Sequence, residues 1–210
     1  MQQIRVIKPT RRSMSGYYSY KGVSIPYEST LERDFVVFHT FRSDVLKIVA
    51  QPIRIAFIKN GRTYHYTPDY FVQFNTSAKP LIVEVKPKNE WLKYWREWSD
   101  KWKAAREYCK EQGYIFKIYD ESRIRHQGLK NVEKLMRYER INCSNNDIEA
   151  VLKQVETMGT TTIELLLEKL FKEETCHPQG KRIIYHLIAN KILEFPLRDE
   201  LNEKTEIWHA

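Results

Sequence analysis

The sequence predicts an α/β domain with a mixed sheet and flanking helices, followed by a smaller domain of three helices and a β-hairpin. Three observations carry this reading. Short apolar, β-branched or aromatic runs at Ile53–Ile58, Tyr70–Phe74 and Leu81–Val85 have the length and composition of strands. A long helical pattern from Glu90 to Gln112 separates the Leu81–Lys86 run from a further strand at Tyr114–Tyr119, which asks for a parallel pair joined by a helical crossover. Beyond a polar, turn-forming stretch from Asn142 to Asp147, the hydrophobic period becomes helical again until the last twenty or so residues.

Taken in order, a first helix begins near Ser29. Ser29 and Glu32 have the Ser-x-x-Glu spacing of a capping box, and Leu31, Phe35 and Phe38 form a core-facing stripe. Gln51-Pro52 precedes the Ile53–Ile58 strand, and Asn60-Gly61 marks a tight hairpin because both turn positions need positive φ. Arg62–Tyr66 returns, Tyr70–Phe74 follows Pro68-Asp69, and Leu81–Lys86 comes next. In the long helix, Trp91, Trp95, Trp98, Trp102, Ala105 and Cys109 fall on one face. Such a stripe could stack bases, but its regular spacing reads as core. Gly113 ends that helix. A short helix around Asn131–Tyr138 is expected to close the first domain, with the linker at 142–147. Helices at about 147–157, 161–171 and 178–190, the second capped by Thr160 or Thr161, precede two short strands at 191–195 and 205–208. Three helices then a hairpin is the order of a winged helix. The expected division is a basic arm over 1–27, a domain over 28–142 and a winged helix over 143–210.

The chain of 210 residues has 35 Lys+Arg against 27 Asp+Glu, a formal charge of +8. The surplus is uneven. Residues 1–143 hold 27 basic and 15 acidic residues, a net +12, and residues 144–210 hold 8 and 12, a net −4. A polyanionic partner is expected for the first part and a different partner for the second. Arg5, Lys8, Arg11, Arg12 and Lys21, interleaved with Tyr17, Tyr18 and Tyr20 and with no acid among residues 1–27, suit an arm lying along phosphates. Cys109, Cys143 and Cys176 are odd in number and form no Cys-x-x-Cys pair, which argues against a disulfide framework or a structural zinc site. No apolar run of about 18 residues and no signal peptide is found, so a soluble intracellular protein is expected.

The chemistry concentrates at Tyr66-Thr67-Pro68-Asp69 and Pro80-Leu81-Ile82-Val83-Glu84-Val85-Lys86. Side chains alternate along a strand, so Glu84 and Lys86 face the same way, about 7 Å apart at their Cα atoms. Charged groups on an otherwise apolar strand are costly to bury unless they pair or bind a metal. Glu-x-Lys alone reads more readily as an ordinary ion pair; its spacing after Pro68-Asp69 is what points to a nuclease. Two carboxylates that converge on a hard cation beside a lysine make a site for metal-assisted phosphodiester hydrolysis.

The order of basic arm, Tyr27-Glu28-Ser29-x-Leu31-Glu32-Arg33-Asp34-Phe35, Gln51-Pro52, Tyr66-Thr67-Pro68-Asp69 and Glu84-Val85-Lys86-Pro87 resembles TnsA, the endonuclease subunit of heteromeric cut-and-paste transposons, within the PD-(D/E)xK nuclease superfamily. The resemblance implies a restriction-endonuclease-like first domain and a winged-helix second domain. It implies cleavage of the 5′ strands at transposon ends, in the bacterial cytoplasm, with double-stranded DNA, a separate integrase-like DDE transposase and an AAA+ ATPase regulator as partners. It further implies Glu32, Asp69, Glu84 and Lys86 as catalytic positions. Asp69, Glu84, the Val85 carbonyl and Glu32 would serve Mg²⁺, with Mn²⁺ as substitute. Glu28, one turn earlier, competes with Glu32, whose capping role is the plainer one. Rival readings are a solitary restriction- or repair-type nuclease, a non-catalytic DNA-binding scaffold subunit, and a winged-helix transcription factor with an accessory domain. The last sits poorly with the −4 of residues 144–210, because domains that grip phosphate are usually basic.

Overall fold

The computed structural model describes residues 1–4, 14–20 and 22–210. Arg5, Lys8, Arg11, Arg12 and Lys21, the expected phosphate contacts of the arm, lie outside the described residues. The chain divides into two compact units, Met1–Arg125 and His126–Ala210.

The first unit opens with a hairpin that the basic composition of the arm concealed. Strands β1 (Gly16–Tyr20) and β2 (Val23–Tyr27) pair antiparallel, with Gly22 between them at a φ of 78°. Helix α1 (Thr30–Phe41) follows, capped as its sequence demands: the Glu32 amide donates to Ser29 Oγ at 3.1 Å. Strand β3 (Val45–Ala50), unrecognised in the sequence, comes before Gln51-Pro52. The hairpin β4 (Ile55–Lys59) and β5 (Arg62–Tyr66) turns at Asn60 and Gly61, both at positive φ as the dipeptide predicts.

A four-stranded sheet carries the unit, in the order β3, β6 (Tyr70–Phe74), β7 (Leu81–Val85), β8 (Ile115–Tyr119). The β3–β6 and β6–β7 pairs are antiparallel, and β7–β8 is parallel across helix α2 (Lys88–Gln112), so the sheet is mixed as expected. Alternation along β7 assigns its two faces. Leu81, Val83 and Val85 join a core with Leu31, Phe35 and Val36 of α1 and with Tyr70 and Val72, whereas Ile82 joins Phe71, Val49 and Cys109 of α2. The sheet is therefore sandwiched between α1 and α2, and Glu84 shares the α2 face with Ile82. A satellite cluster seats the β4–β5 hairpin on α2 through Ile55, Tyr66, Trp102 and Ala105. The short helix α3 (Glu121–Ile124) ends the unit, where Arg125 pairs with Asp34 at 2.8 Å.

The tryptophan stripe is core for only half of its length. Trp102, Ala105 and Cys109 are buried, but Trp95 is 50% exposed and Trp91 and Trp98 are half-buried. The N-terminal half of α2 packs on the β4–β5 hairpin and, through Trp91, whose Nε1 donates to Asp120 Oδ2 at 3.2 Å, on the end of β8, an arrangement that leaves Trp95 half exposed.

In the second unit, α4 (Gln127–Leu135) falls where a helix closing the first domain was expected. Buried Asn131 ties it to its own unit by donating to the Leu197 and Asp199 carbonyls at 2.9 and 2.6 Å and accepting the Leu201 amide at 3.3 Å. The 142–147 stretch serves as the lead-in to α5 (Asn145–Met158). Strand β9 (Thr161–Thr162), α6 (Ile163–Leu170), α7 (His177–Ala189), β10 (Leu193–Glu194) and β11 (Glu206–His209) complete the chain, with an antiparallel sheet ordered β10, β11, β9. The α6 cap is Thr162, which accepts from the Leu165 amide, and neither Thr160 nor Thr161 takes that place. Ile183, Ile184, Leu187 and Ile188 of α7 are core, as their spacing predicts. Gly180 lets α7 approach α6: a Cβ there would lie 2.5 Å from Phe171 and 2.7 Å from Leu167. Among the described residues, no helix is long and apolar enough to cross a membrane.

Candidate active site

The ends of β6 and β7 bring the predicted groups together. Asp69 precedes β6, and its backbone is fixed by the Gln51 amide, which donates to the Asp69 carbonyl at 2.7 Å and extends the β3–β6 ladder by one residue. Gln51 holds a φ of 46°, a left-handed conformation that costs a side-chain-bearing residue on the order of 1 kcal/mol or more. The Asp69 carboxylate in turn accepts the Val85 amide at 2.7 Å on Oδ2. One carboxylate is thus locked to the strand that carries the other.

Glu84 is 2% exposed, and both of its oxygens are engaged. Tyr66 donates its hydroxyl to Oε2 at 2.5 Å, and the Lys101 ammonium of α2 approaches Oε1 at 3.3 Å. Lys86 lies between the acids, with Nζ 3.8 Å from Asp69 Oδ2 and 3.7 Å from Glu84 Oε1. The same-face placement expected of Glu84 and Lys86 is therefore present. Burial, and then repulsion from Glu84, push the Asp69 carboxyl well above its usual range, against the pull of Lys86 and the Val85 amide. Attraction to Asp69 raises Lys86, outweighing its burial, so it stays an ammonium at neutral pH. Burial and the charges of Glu84 and Asp69 likewise keep Tyr66 protonated and donating.

Glu32 stands on the α1 side of the sheet. Its carboxylate accepts Ser29 Oγ at 3.1 Å, the Glu28 amide at 2.9 Å and the Tyr70 hydroxyl at 3.3 Å. The capping role is thus filled, yet its charge still reaches the site: it acts on both Asp69 and Lys86. Burial raises the Glu32 carboxyl, while the Glu28 amide, Lys86 and Ser29 oppose the rise.

Among the described residues, no three His, Cys, Asp or Glu side chains gather to hold a metal ion. The donor set that does converge is hard and oxygen-only: two mutually repelling carboxylates, with the Val85 carbonyl adjacent. That chemistry suits a divalent cation that keeps most of its water, as Mg²⁺ does.

Sequence reasoning overlooked Lys101 and the part played by Tyr66. The available signal was a lysine set between Trp98 and Trp102 on the apolar border of α2, which alone is indistinguishable from a solvated lysine.

No curated protein matches the chain. The family model described as TnsA-like endonuclease N terminal matches residues 42–121. The matched segment contains Asp69, Glu84, Val85, Lys86 and Lys101 and begins after α1, so Glu28 and Glu32 fall outside it. The carboxylate–lysine cluster at the ends of β6 and β7 thus lies within a segment that matches a TnsA-like N-terminal endonuclease domain.

Proposed function

We propose that the chain is a Mg²⁺-dependent DNA endonuclease that cleaves the 5′ strands at transposon ends, working with a separate DDE transposase and an AAA+ ATPase regulator in the bacterial cytoplasm. The observation that carries this reading is the convergence of Asp69 and Glu84 around Lys86 inside a TnsA-like endonuclease domain. Asp69, Glu84 and the Val85 carbonyl would hold the metal, with Glu32 serving it or its water shell. A bound Mg²⁺ or Mn²⁺ supplies positive charge to the phosphate oxygens during in-line displacement. Lys86, placed between the two acids, would orient or help deprotonate the attacking water. Tyr66 and Lys101 hold Glu84, and the Val85 amide holds Asp69.

Among its described residues the first unit offers no helix for reading bases, which would leave target choice to the partners. The second unit supports a winged-helix reading through its helix order and its β10–β11–β9 sheet. Its net charge of −4 over 144–210 and the pairing of Lys181 on α7 with Glu203 favour a protein partner, the ATPase regulator, over phosphate. The test is reconstitution with transposase, regulator and DNA bearing both ends. Mg²⁺-dependent 5′ cuts that require the partners are expected. Cutting by the chain alone would favour a solitary nuclease, and a lack of any metal-dependent cutting would favour a scaffold.

The basic arm is assigned to DNA affinity. Neutralising Arg5, Lys8, Arg11, Arg12 and Lys21 together should weaken binding to all duplex sequences alike. It should also reduce the slope of log affinity against log salt by about 4.5, if each of the five residues meets one phosphate. A mobility-shift titration across salt concentrations measures this, and an unchanged slope would remove the arm from the interface.

A further inference from the structure

Lys101 is a charged group of the site whose part in the proposed chemistry so far is only to hold Glu84. It comes from α2, outside both strand motifs, and its side chain is only 19% exposed. Three rings fix it, with Nζ 4.9 Å from the centroid of Tyr66, 4.8 Å from Trp98 and 5.8 Å from Trp102. The same Tyr66 bonds the opposite oxygen of Glu84. A lysine caged in this way is a standing charge and not a solvated tether.

That charge alters the balance at the site. Asp69 and Glu84 face two ammonium groups, Lys86 and Lys101, so counted as ionised groups the cluster is neutral before any metal arrives. A divalent ion would leave excess positive charge in a largely buried place, which Glu32 on the far side of the sheet offsets only in part. A DNA phosphodiester carries the missing negative charge. We propose that Lys101 is a positioning residue that makes metal binding at Asp69 and Glu84 depend on a DNA phosphate. It orients Glu84 and holds metal affinity low until the substrate is present. This rests on the metal-site reading given under Proposed function.

The expected behaviour is a coupling between two ligands, reciprocal by thermodynamic necessity. Ca²⁺ is the probe, titrated calorimetrically into the full-length chain with and without a duplex oligonucleotide. Native protein should bind Ca²⁺ about tenfold more tightly with duplex than without it. Lys101→Met, which keeps the stem but not the charge, should bind Ca²⁺ about tenfold more tightly than native protein in the absence of DNA, and duplex should then add little. Lys101→Arg should restore the native pattern. Circular dichroism and thermal melting in chelator confirm that each variant is folded. Unchanged or weaker Ca²⁺ binding by folded Lys101→Met, with binding still abolished by Asp69→Asn, would overturn the role of Lys101 alone. Ca²⁺ binding that survives both Asp69→Asn and Glu84→Gln would overturn the metal-site reading and this proposal with it.

Discussion

Asp69→Asn is expected to reduce strand cleavage by more than about a thousandfold while leaving the metal-free fold at least as stable as the native chain. The two halves of this expectation have separate causes. Loss of cleavage follows from removing one of the two carboxylates that flank Lys86 at the proposed metal site. Retention of the fold follows from geometry, since asparagine still offers an oxygen to the Val85 amide and keeps that amide paired. The sign of the pH dependence is fixed by the raised carboxyl of Asp69. An acid raised in the folded state binds its proton more tightly there than in the unfolded chain, so its ionisation destabilises the fold above the raised value. That penalty disappears as pH falls below the ordinary carboxylate range. In chelator, Asp69→Asn should therefore melt at or above the native temperature near neutral pH, and its advantage should shrink on acidification. Melting at both pH values, with a cleavage assay in Mg²⁺, measures each half. Native cleavage rates in the variant would remove Asp69 from the site, and a large loss of melting temperature would mean that its role is structural.

The parts of the site that the sequence made legible are those built by local rules. Glu84 and Lys86 share a face because strand side chains alternate, and that holds wherever β7 sits. The Ser29–Glu32 cap and the Asn60-Gly61 turn are likewise settled within a few residues. Three features needed information the sequence does not display locally. The β1–β2 hairpin lies in a segment whose charge suggested an arm lying along phosphates, and its turn signal is a single glycine. Strand β9 is two residues long and exists through its pairing with β11. Lys101 reaches Glu84 only because α2 crosses the sheet at a particular angle and register, which is decided by packing of Trp102, Ala105 and Cys109. The same packing explains why Trp95, identical in its helical spacing to its buried neighbours, is half exposed: the periodicity of a helix says which face is apolar, but not how far the surface that covers it extends.

The contest between Glu32 and Glu28 turns on charge, because the geometry shows Glu32 already employed. Glu32 caps α1, and its three hydrogen-bond donors, Ser29, the Glu28 amide and Tyr70, can be served by a glutamine whose oxygen takes the Oε2 place and accepts from Glu28 and Tyr70, while its amide nitrogen donates to Ser29 Oγ once that hydroxyl rotates. Glu32→Gln should therefore cost no more than about 1 kcal/mol of stability. What glutamine cannot supply is the negative charge that acts on Asp69 and Lys86. If that charge serves the metal or its water, Glu32→Gln should lower cleavage by about a hundredfold, the scale of losing a group that supports a metal site. Glu28 contributes its amide, and not its carboxylate, to the Glu32 cap. Removing its charge also relieves repulsion that raises Glu32, so Glu28→Gln should cleave within about threefold of the native rate. Cleavage assays on the two variants, paired with denaturant melts, decide the matter. If Glu28→Gln is the inactive one and Glu32→Gln cleaves normally, then Glu32 is a helix cap alone and the first acid of the site lies one turn earlier.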